Sequence, residues 1–279
     1  MKRYPTIEWQ VAGACNYDCT YCIQSKKYRK GRPKLTQLEK AMHFFSALKG
    51  EWEIKCSGGE AFAHRLFMSY IVPQLMAQTP HNISVLSNFS ASYSELQRFA
   101  FLTQGRLKVF SASMHLEFAK LEEFLHKVLW FCDLLSLDNK FVVNQVVLPG
   151  KEDEALRCKE AFEQEGVRWF PQLYKIKGGV AEYPNEAALR AVIGENPGPK
   201  EANLAPSYFG KRCWAGVEYC TIDKDGTVWS CRTAKRYGQG ILGNIFEGTV
   251  SMYPEPYVCP YTICPCTVPA NRGMIEGVA

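Results

Sequence analysis

Three cysteines stand close together near the start of the chain. Cys15, Cys19 and Cys22 have the spacing C-x3-C-x2-C and follow a strand-like segment, residues 7–13. Three thiols within so short a stretch can point to one centre only if the loop curls around it. Three thiolates ligate three irons of a cubane iron–sulfur cluster and leave the fourth iron open for an outside ligand. The spacing predicts such a cluster, and the alternative is a zinc site completed by a distant residue.

A glycine-rich turn with a carboxylate follows the second strand-like segment, residues 52–56. Its residues are Ser57, Gly58, Gly59 and Glu60. Two glycines let a ligand approach the backbone closely and expose peptide groups to it. The neighbouring carboxylate can bind an ammonium group. An ordinary strand-to-helix turn has the same composition, but its position one unit after the cysteine loop favours a binding function.

A second group of cysteines occupies the C-terminal part of the chain. Its members are Cys213, Cys220, Cys231, Cys259, Cys264 and Cys266. Residues 218–222 and 227–231 flank the turn sequence Lys224-Asp225-Gly226, which predicts a β-hairpin. The loop-rich tail that follows has few apolar residues for a core and needs an internal crosslink to be stable. Ligation of metal by these thiols would provide one, and structural zinc is again the alternative.

The composition excludes several classes of protein. The chain has 279 residues, 47% of them hydrophobic, 12 cysteines and a formal net charge of +5. This apolar content excludes intrinsic disorder, and the mild charge is not the footprint of a nucleic-acid-binding protein. We find neither a secretory signal nor an apolar stretch long enough to span a membrane. The expected location is therefore the reducing cytoplasm, where many cysteines indicate metal or redox chemistry.

Strand-like and helix-like segments alternate between residues 6 and 175, and these elements must position the motifs. The predicted strands are 7–13, 52–56, 83–86, 107–112, 141–148 and 168–174. The predicted helices are 36–48, 64–78, 93–102, 117–134 and 152–165, with Pro73 splitting the second and Ser92 and Glu95 forming a capping box for the third. Repeated βα units imply a parallel α/β sheet with right-handed crossovers. Periodicity alone does not choose between a partial barrel and an open sheet.

Glycine and proline punctuate residues 178–210, where one short helix is predicted at 186–192 after Asn185. We predict three parts on this basis: an α/β domain at 1–177, a linker at 178–210 and a small cysteine-rich domain at 211–279.

The cysteine loop, with Tyr21 before its last cysteine, and the Gly58-Gly59-Glu60 triplet together resemble the radical S-adenosylmethionine (SAM) superfamily. The resemblance covers about residues 6–175. It implies a partial (βα)6 TIM-like barrel and a [4Fe–4S] cluster on Cys15, Cys19 and Cys22, whose open iron is chelated by SAM. It further implies reductive cleavage of SAM to a 5′-deoxyadenosyl radical that abstracts hydrogen from a substrate.

The same resemblance assigns contacts with SAM. Gly58, Gly59 and Glu60 would hold its methionine end, and Tyr21 would lie near the adenine. The residues expected to meet the ribose or carboxylate lie at the ends of the third and fourth strands, with one on the fifth: Ser87, Asn88, Ser111, Ser113 and Asn144. His115 and Glu117 follow the fourth strand and either face the substrate or simply begin a helix.

The C-terminal cysteines resemble the twitch or SPASM extension of radical SAM enzymes, which binds auxiliary iron–sulfur clusters. Cys213, the Gly226-x4-Cys231 unit and the Cys264-Pro265-Cys266 pair carry this resemblance. The final run has fewer cysteines than a two-cluster extension. We therefore expect one auxiliary [4Fe–4S] cluster, with Cys259 and Cys220 as further candidate ligands.

The predicted function is that of a radical SAM oxidoreductase or transforming enzyme. The chain begins its first strand near residue 6, without a leader-binding module before it, which favours a small sugar- or cyclitol-like substrate over a peptide. A peptide-modifying maturase is the alternative, and a non-catalytic zinc protein is a more distant one. The basic segment from Lys26 to Lys34 is either a solvated loop, a docking site for an acidic electron donor such as a flavodoxin or ferredoxin, or an anion site.

Overall fold

The computed structural model describes residues 2–135, 141–176, 179–194, 207–262, 264 and 267–278. Six parallel strands follow one another in the first part of the chain. They are β1 (Thr6–Ala12), β2 (Glu53–Gly58), β3 (Asn82–Ser87), β4 (Leu107–Met114), β5 (Phe141–Val147) and β6 (Trp169–Leu173). Each pairs in parallel with the next, so that spatial order follows chain order. The predicted partial (βα)6 barrel is confirmed.

Helices connect these strands on the outside of the sheet. They are α1 (Leu35–Ala47), α2 (Val72–Gln78), α3 (Tyr93–Thr103), α4 (Leu121–Leu135) and α5 (Glu152–Gln164), and α6 (Glu186–Ile193) follows β6. The predicted split at Pro73 is confirmed, because a π-helical turn (Phe67–Ile71) precedes α2. The capping box of Ser92 and Glu95 is also present. None of the helices within the described residues is long and apolar enough to span a membrane.

The two faces of the strands have different chemistry. On β1, Ile7, Trp9 and Val11 are fully buried in the apolar core between the sheet and the helices. The alternating residues Glu8 and Gln10 point instead to a cavity inside the curved sheet. Because side chains alternate along a strand, this pattern places the core outside the barrel and a polar lumen inside it.

The C-terminal part extends the barrel sheet. It contains β7 (Lys175–Ile176), β8 (Gly179–Val180), β9 (Arg212–Cys213), β10 (Tyr219–Ile222), β11 (Thr227–Trp229), β12 (Ile241–Asn244) and β13 (Tyr257–Val258), and short helices at Arg232–Arg236 and Thr267–Asn271. The predicted hairpin is confirmed as the antiparallel pair β10 and β11. Unexpectedly, β10 lies parallel to β1, with Thr6 opposite Tyr219. Within the described residues, one sheet of nine strands therefore runs from β12 to β6.

The predicted division into three parts stays a prediction. The linker helix begins after the N-cap Asn185, as predicted, and forms α6. The remainder of that linker includes residues 178 and 195–206, which lie outside the described residues. A small second core does lie among the C-terminal residues, around Tyr219, Ala234 and Met274.

Candidate active site

A cavity of about 410 Å³ lies inside the curved sheet, at the carboxyl ends of its strands. Its wall includes most of the residues that the sequence singled out: Cys15, Cys19, Tyr21, Cys22, Ser57, Gly58, Gly59, Ser87, Asn88, Ser111, Ser113, His115 and Asn144. Residues from four parallel strands and from the loops that follow β1, β2, β3 and β4 thus meet at one place. Ligands commonly bind at this edge of parallel α/β sheets.

The glycine-rich turn supports the cysteine loop directly. Gly59 N donates to Ala12 O at 2.9 Å, and Glu60 N donates to Ala14 O at 3.0 Å. A Cβ on Gly59 would lie 2.2 Å from Ala14 O, and Gly58 has a φ of +145° and would clash with Ala12 O in the same way. The sequence predicts that these glycines admit a ligand. The geometry shows that they also admit the backbone on which the cysteines are mounted.

A backbone donor and a side-chain donor lie near the sulfur of Cys15. Tyr17 N donates to Cys15 Sγ at 3.4 Å, and Asn88 Nδ2 lies 3.9 Å from the same atom. Burial raises the pKa of the Cys15 thiol above its usual range and that of Cys19 to about 11. Without a metal these two thiols stay protonated near neutral pH, and coordination to a metal deprotonates a thiol.

His115 and Glu117 both contact the cysteine loop. His115 Nδ1 lies 3.5 Å from Cys19 Sγ and 2.9 Å from the Tyr21 hydroxyl. Burial lowers the pKa of His115 to about 4, although Glu117 opposes this shift. Glu117 accepts hydrogen bonds from both the backbone N–H and the hydroxyl of Thr20. His115 lines the large cavity, whereas Glu117 lines a smaller neighbouring pocket beside Tyr21.

Glu60 is fully buried beneath the cavity. Its carboxylate accepts hydrogen bonds from Phe62 N at 3.1 Å, Ser87 Oγ at 2.8 Å and Asn88 N at 2.6 Å. Burial raises the pKa of Glu60, and these three bonds oppose the rise. Glu60 thus ties the end of β2 to the end of β3, and its role as a partner of an ammonium group stays a prediction.

Asn88 is presented to Cys15 by a strained turn. The next residue, Phe89, has a φ of 60° although it is neither glycine nor asparagine. Lys127 on α4 donates to Phe89 O at 2.8 Å and also to Ala91 O, which braces the turn. Such conformations persist only where the surroundings enforce them, and they are common near functional sites.

Sequence reasoning missed five of the six charged residues of the cavity wall. These are Glu8, Lys55, Lys175, Arg232 and Arg236, and the sixth is Arg29. Glu8 and Lys55 occupy facing positions on β1 and β2. A carboxylate that alternates with the apolar residues Ile7, Trp9 and Val11 of a strand is the signal that could have identified Glu8, because a buried charge requires a partner. Arg29 was assigned to the basic loop, yet its side chain is only 11% exposed and pairs with Asp18 at 2.7 Å.

The C-terminal cysteines fall into two sets. Cys213, Cys231 and Cys259 are buried together in the small second core. Burial is the main cause that raises the pKa of Cys213 to about 12, and the neighbouring thiols of Cys259, Cys231 and Cys264 contribute to this rise. Cys264 also lies 3.8 Å from the Thr233 hydroxyl. The structure therefore brings four of the six candidate thiols into one neighbourhood.

The other two candidates are placed differently. Cys220 lies on the opposite face of β10 from Tyr219 and is fully buried in the barrel core, where the structure does not bring it to the other cysteines. Cys266 lies outside the described residues. No three His, Cys, Asp or Glu side chains in the described part of the chain are arranged to hold one metal ion. A cubane cluster spreads its sulfur ligands more widely than a single ion does.

Comparison with known proteins gives matches by structure. No model of a protein family matches the chain, and no curated protein matches it in sequence. A solved structure of anSMEcpe with bound AdoMet is 14% identical, with a TM-score of 0.61 over 88% of this chain and 78% of that one. SuiB from Streptococcus suis bound to S-adenosylmethionine is 12% identical, with a TM-score of 0.61 over 88% of this chain.

SuiB bound to the precursor peptide SuiA is 13% identical, with a TM-score of 0.63 over 89% of this chain. The chain spans 64% of the length of SuiB. At these identities the likeness concerns the fold. The chain therefore has the same α/β partial-barrel fold as proteins whose structures contain bound S-adenosylmethionine.

Proposed function

We propose that the chain is a radical SAM enzyme. The observation that carries the proposal is the convergence of Cys15, Cys19 and Cys22 with the glycine turn and the strand-end residues on one cavity. The likeness in fold to structures with bound AdoMet supports radical SAM chemistry. The donor set fits a [4Fe–4S] cluster, because three thiols line the cavity and leave one coordination position of a cubane to another ligand.

The chain's own residues bind and orient the cofactors. Cys15, Cys19 and Cys22 would hold the cluster on a loop that Gly59 and Glu60 fix to the end of β2. Peptide groups of Gly58 and Gly59 would face the methionine end of SAM, and Tyr21 would face its adenine. Ser111, Ser113 and Asn144 line the cavity on neighbouring strands and would complete the polar contacts.

The chemistry that such a cluster supplies is a one-electron reduction of SAM, which breaks a carbon–sulfur bond and yields methionine and a 5′-deoxyadenosyl radical. The bound cofactors would thereby supply abstraction of a hydrogen atom from the substrate, with 5′-deoxyadenosine as the second product of SAM. The electron would come from an acidic protein donor of the flavodoxin or ferredoxin class. The barrel walls would limit the access of water to the reacting atoms.

We further propose one auxiliary [4Fe–4S] cluster on the C-terminal cysteines. Cys213, Cys231, Cys259 and Cys264 are neighbours, which supports them as its ligands. If this cluster accepts one electron from the substrate radical, the net reaction is a two-electron oxidation. For each electron used to cleave SAM, one electron then passes from the substrate to the auxiliary cluster.

Iron counting tests both clusters. The experiment uses anaerobically reconstituted protein, with iron, sulfide and dithionite-driven 5′-deoxyadenosine measured together. We expect about eight irons per chain, falling to about four in the Cys15/Cys19/Cys22→Ala variant with loss of SAM cleavage. A Cys213/Cys231→Ala variant should also lose about four irons while it keeps the N-terminal cluster. A wild-type protein without iron or SAM cleavage would refute the proposal and favour a zinc-binding protein.

The substrate we propose is a small sugar- or cyclitol-like metabolite. A peptide substrate is the second candidate, because the chain shares its fold with SuiB, which has been solved with the precursor peptide SuiA bound. Binding of synthetic peptides encoded beside the gene distinguishes the two. Tight, sequence-specific binding of one such peptide would refute the small-metabolite proposal.

A further inference from the structure

The cavity wall carries more positive than negative charge. Its basic residues within the described chain are Arg29, Lys55, Lys175, Arg232 and Arg236, and its one carboxylate is Glu8. Glu8 is 3% exposed, and its charge can balance only one cation. A cavity with low-dielectric walls concentrates the field of such unbalanced charge.

The ion pairs show which cations are already matched. Arg232 donates to both oxygens of Glu8, from Nε at 2.9 Å and from Nη2 at 3.0 Å. Lys55 lies 3.9 Å from the same carboxylate. Arg29 is matched outside the cavity wall by Asp18. The single carboxylate of Glu8 therefore pairs with two cations at once, and the net charge of the cavity wall around it remains positive.

Arg236 is the cation with the clearest capacity for a ligand. It lies one helical turn after Arg232, so both side chains leave the same side of the short helix Arg232–Arg236 and reach the same cavity. Among the side chains that the structure describes, Arg236 forms no ion pair. Its guanidinium offers a planar fork of donors that matches the oxygens of a carboxylate or phosphate.

We propose that the substrate carries an anionic group, a carboxylate or a phosphate, and that Arg236 binds it with support from Arg232. This inference rests on the proposed radical SAM function and adds the class of substrate. The arginines belong to the C-terminal part of the chain, whereas the residues expected to hold SAM belong to the strand ends and the cysteine loop. The C-terminal part thus contributes a substrate-binding wall as well as an auxiliary cluster.

Inorganic phosphate and acetate are the probes for this site. Each would be titrated calorimetrically into anaerobic holoenzyme, both without SAM and at saturating SAM. We expect at least one of the two anions to bind, and the Arg236→Gln variant to weaken it roughly tenfold or more. If only phosphate binds, the anionic group of the substrate is a phosphate. If only acetate binds, it is a carboxylate. Arg98→Gln is the matched control, because Arg98 is exposed on α3 and does not line the cavity.

Three results would overturn the inference. They are the absence of binding by either anion, equal binding by wild type and Arg236→Gln, and anion binding that SAM abolishes. The last result would mean that Arg236 binds the carboxylate of SAM and not the substrate. A lower affinity of Arg236→Gln for SAM would lead to the same conclusion. Failure of the proposed function is distinguishable, since it is read from SAM cleavage by the wild-type protein.

Discussion

Arg272, near the C-terminus, donates two parallel hydrogen bonds to the carboxylate of Glu53 at the start of β2. The Nε–Oε2 distance is 2.7 Å, and the Nη2–Oε1 distance is 2.9 Å. Ser84 of β3 donates to the same carboxylate at 2.6 Å. This pair lies at the amino end of the strands, away from the cysteine loop, and joins the last described helix region to the barrel. The C-terminal part is therefore held to the barrel by more than the β1–β10 pairing.

The first prediction concerns the stability that this pair provides. Arg272→Gln leaves Glu53 buried without its cation, and we expect it to lower the free energy of unfolding by about 3 kcal/mol at neutral pH. Replacing both partners, as Arg272→Met with Glu53→Gln, should recover most of the loss. Anaerobic urea unfolding followed by tryptophan fluorescence measures both. A single variant as stable as wild type would contradict the prediction.

The same pair has a defined pH dependence. Burial tends to raise the pKa of Glu53, but the hydrogen bonds and charge of Arg272 outweigh it and hold the pKa below its usual range. The stability from the pair is therefore present above the ordinary pKa of a glutamate, about 4.3, and is lost as pH falls through the lower folded value. In Arg272→Gln burial is unopposed by the cation, so Glu53 protonates at higher pH. The difference between variant and wild type should shrink as the pH is lowered from neutral.

The alternating strands and helices could be predicted because their signals are local. Strand pattern, the Pro73 break and the Ser92 cap each involve residues near one another in sequence. The cysteine spacing and the glycine turn likewise located the cavity. The pairing of Thr6 with Tyr219 could not be predicted, because nothing local specifies which edge of a sheet a distant strand joins.

The candidate site shows the same limit. Alternation along β10 could have separated Cys220 from Tyr219, since neighbouring residues on a strand face opposite sides. Two of the three donors to Glu60, Ser87 Oγ and Asn88 N, could not have been found, because they come from a separate segment that meets Glu60 only in the folded chain. Arg236 gave no signal either, since its place in the cavity depends on the β10–β1 pairing.

A second prediction concerns the close approach of Gly59 to the cysteine loop. In Gly59→Ala the new Cβ would meet the carbonyl oxygens of Ala14 and Gly13, which are backbone atoms and cannot rotate away. We expect loss of at least about half of the iron held by the N-terminal cluster and a destabilisation of about 1–3 kcal/mol. Iron counting after reconstitution measures the first effect, and urea unfolding measures the second.

Gly50→Ala is the control for this variant. Gly50 also has a positive φ, of +78°, but a Cβ there would meet nothing within 4 Å. It should cost about 1 kcal/mol from backbone strain and leave the iron content unchanged. Equal iron contents in both variants would show that the contact with the loop is unimportant.

A third prediction separates two roles for Glu60. If the buried carboxylate only bound the ammonium group of SAM, Glu60→Gln would be as stable as wild type in the absence of SAM. The carboxylate of Glu60 accepts hydrogen bonds from Phe62 N, Ser87 Oγ and Asn88 N. In Glu60→Gln the NH2 group of the new side chain would face one of these donors instead of accepting its hydrogen bond. We therefore expect the free energy of unfolding to fall by about 1–3 kcal/mol in the absence of SAM. SAM affinity should also fall. The melting temperature with and without SAM distinguishes the roles, and a change confined to the SAM-bound sample would contradict the positioning role.

The last prediction concerns the surface proposed to dock the electron donor. Cys22 is exposed, the neighbouring Ile23 is 71% exposed, and Lys27 and Lys30 are exposed on the loop that follows. Arg29 does not belong to this surface, because its side chain is only 11% exposed, pairs with Asp18 and lines the cavity. An acidic donor attracted by the exposed lysines should therefore react more slowly with Lys27→Glu/Lys30→Glu, by about tenfold at low ionic strength. At an ionic strength of about 1 M, where the screening length is about 3 Å, the difference should nearly vanish.

Stopped-flow reduction by a flavodoxin measures the rate, and dithionite, a small reductant, shows whether the cluster itself has changed. Lys108→Glu carries the same kind of charge reversal at the opposite end of the barrel, near the start of β4, and should reduce at the wild-type rate. If Lys108→Glu slowed reduction equally, the effect would come from the overall charge of the protein, and the proposed docking surface would be refuted.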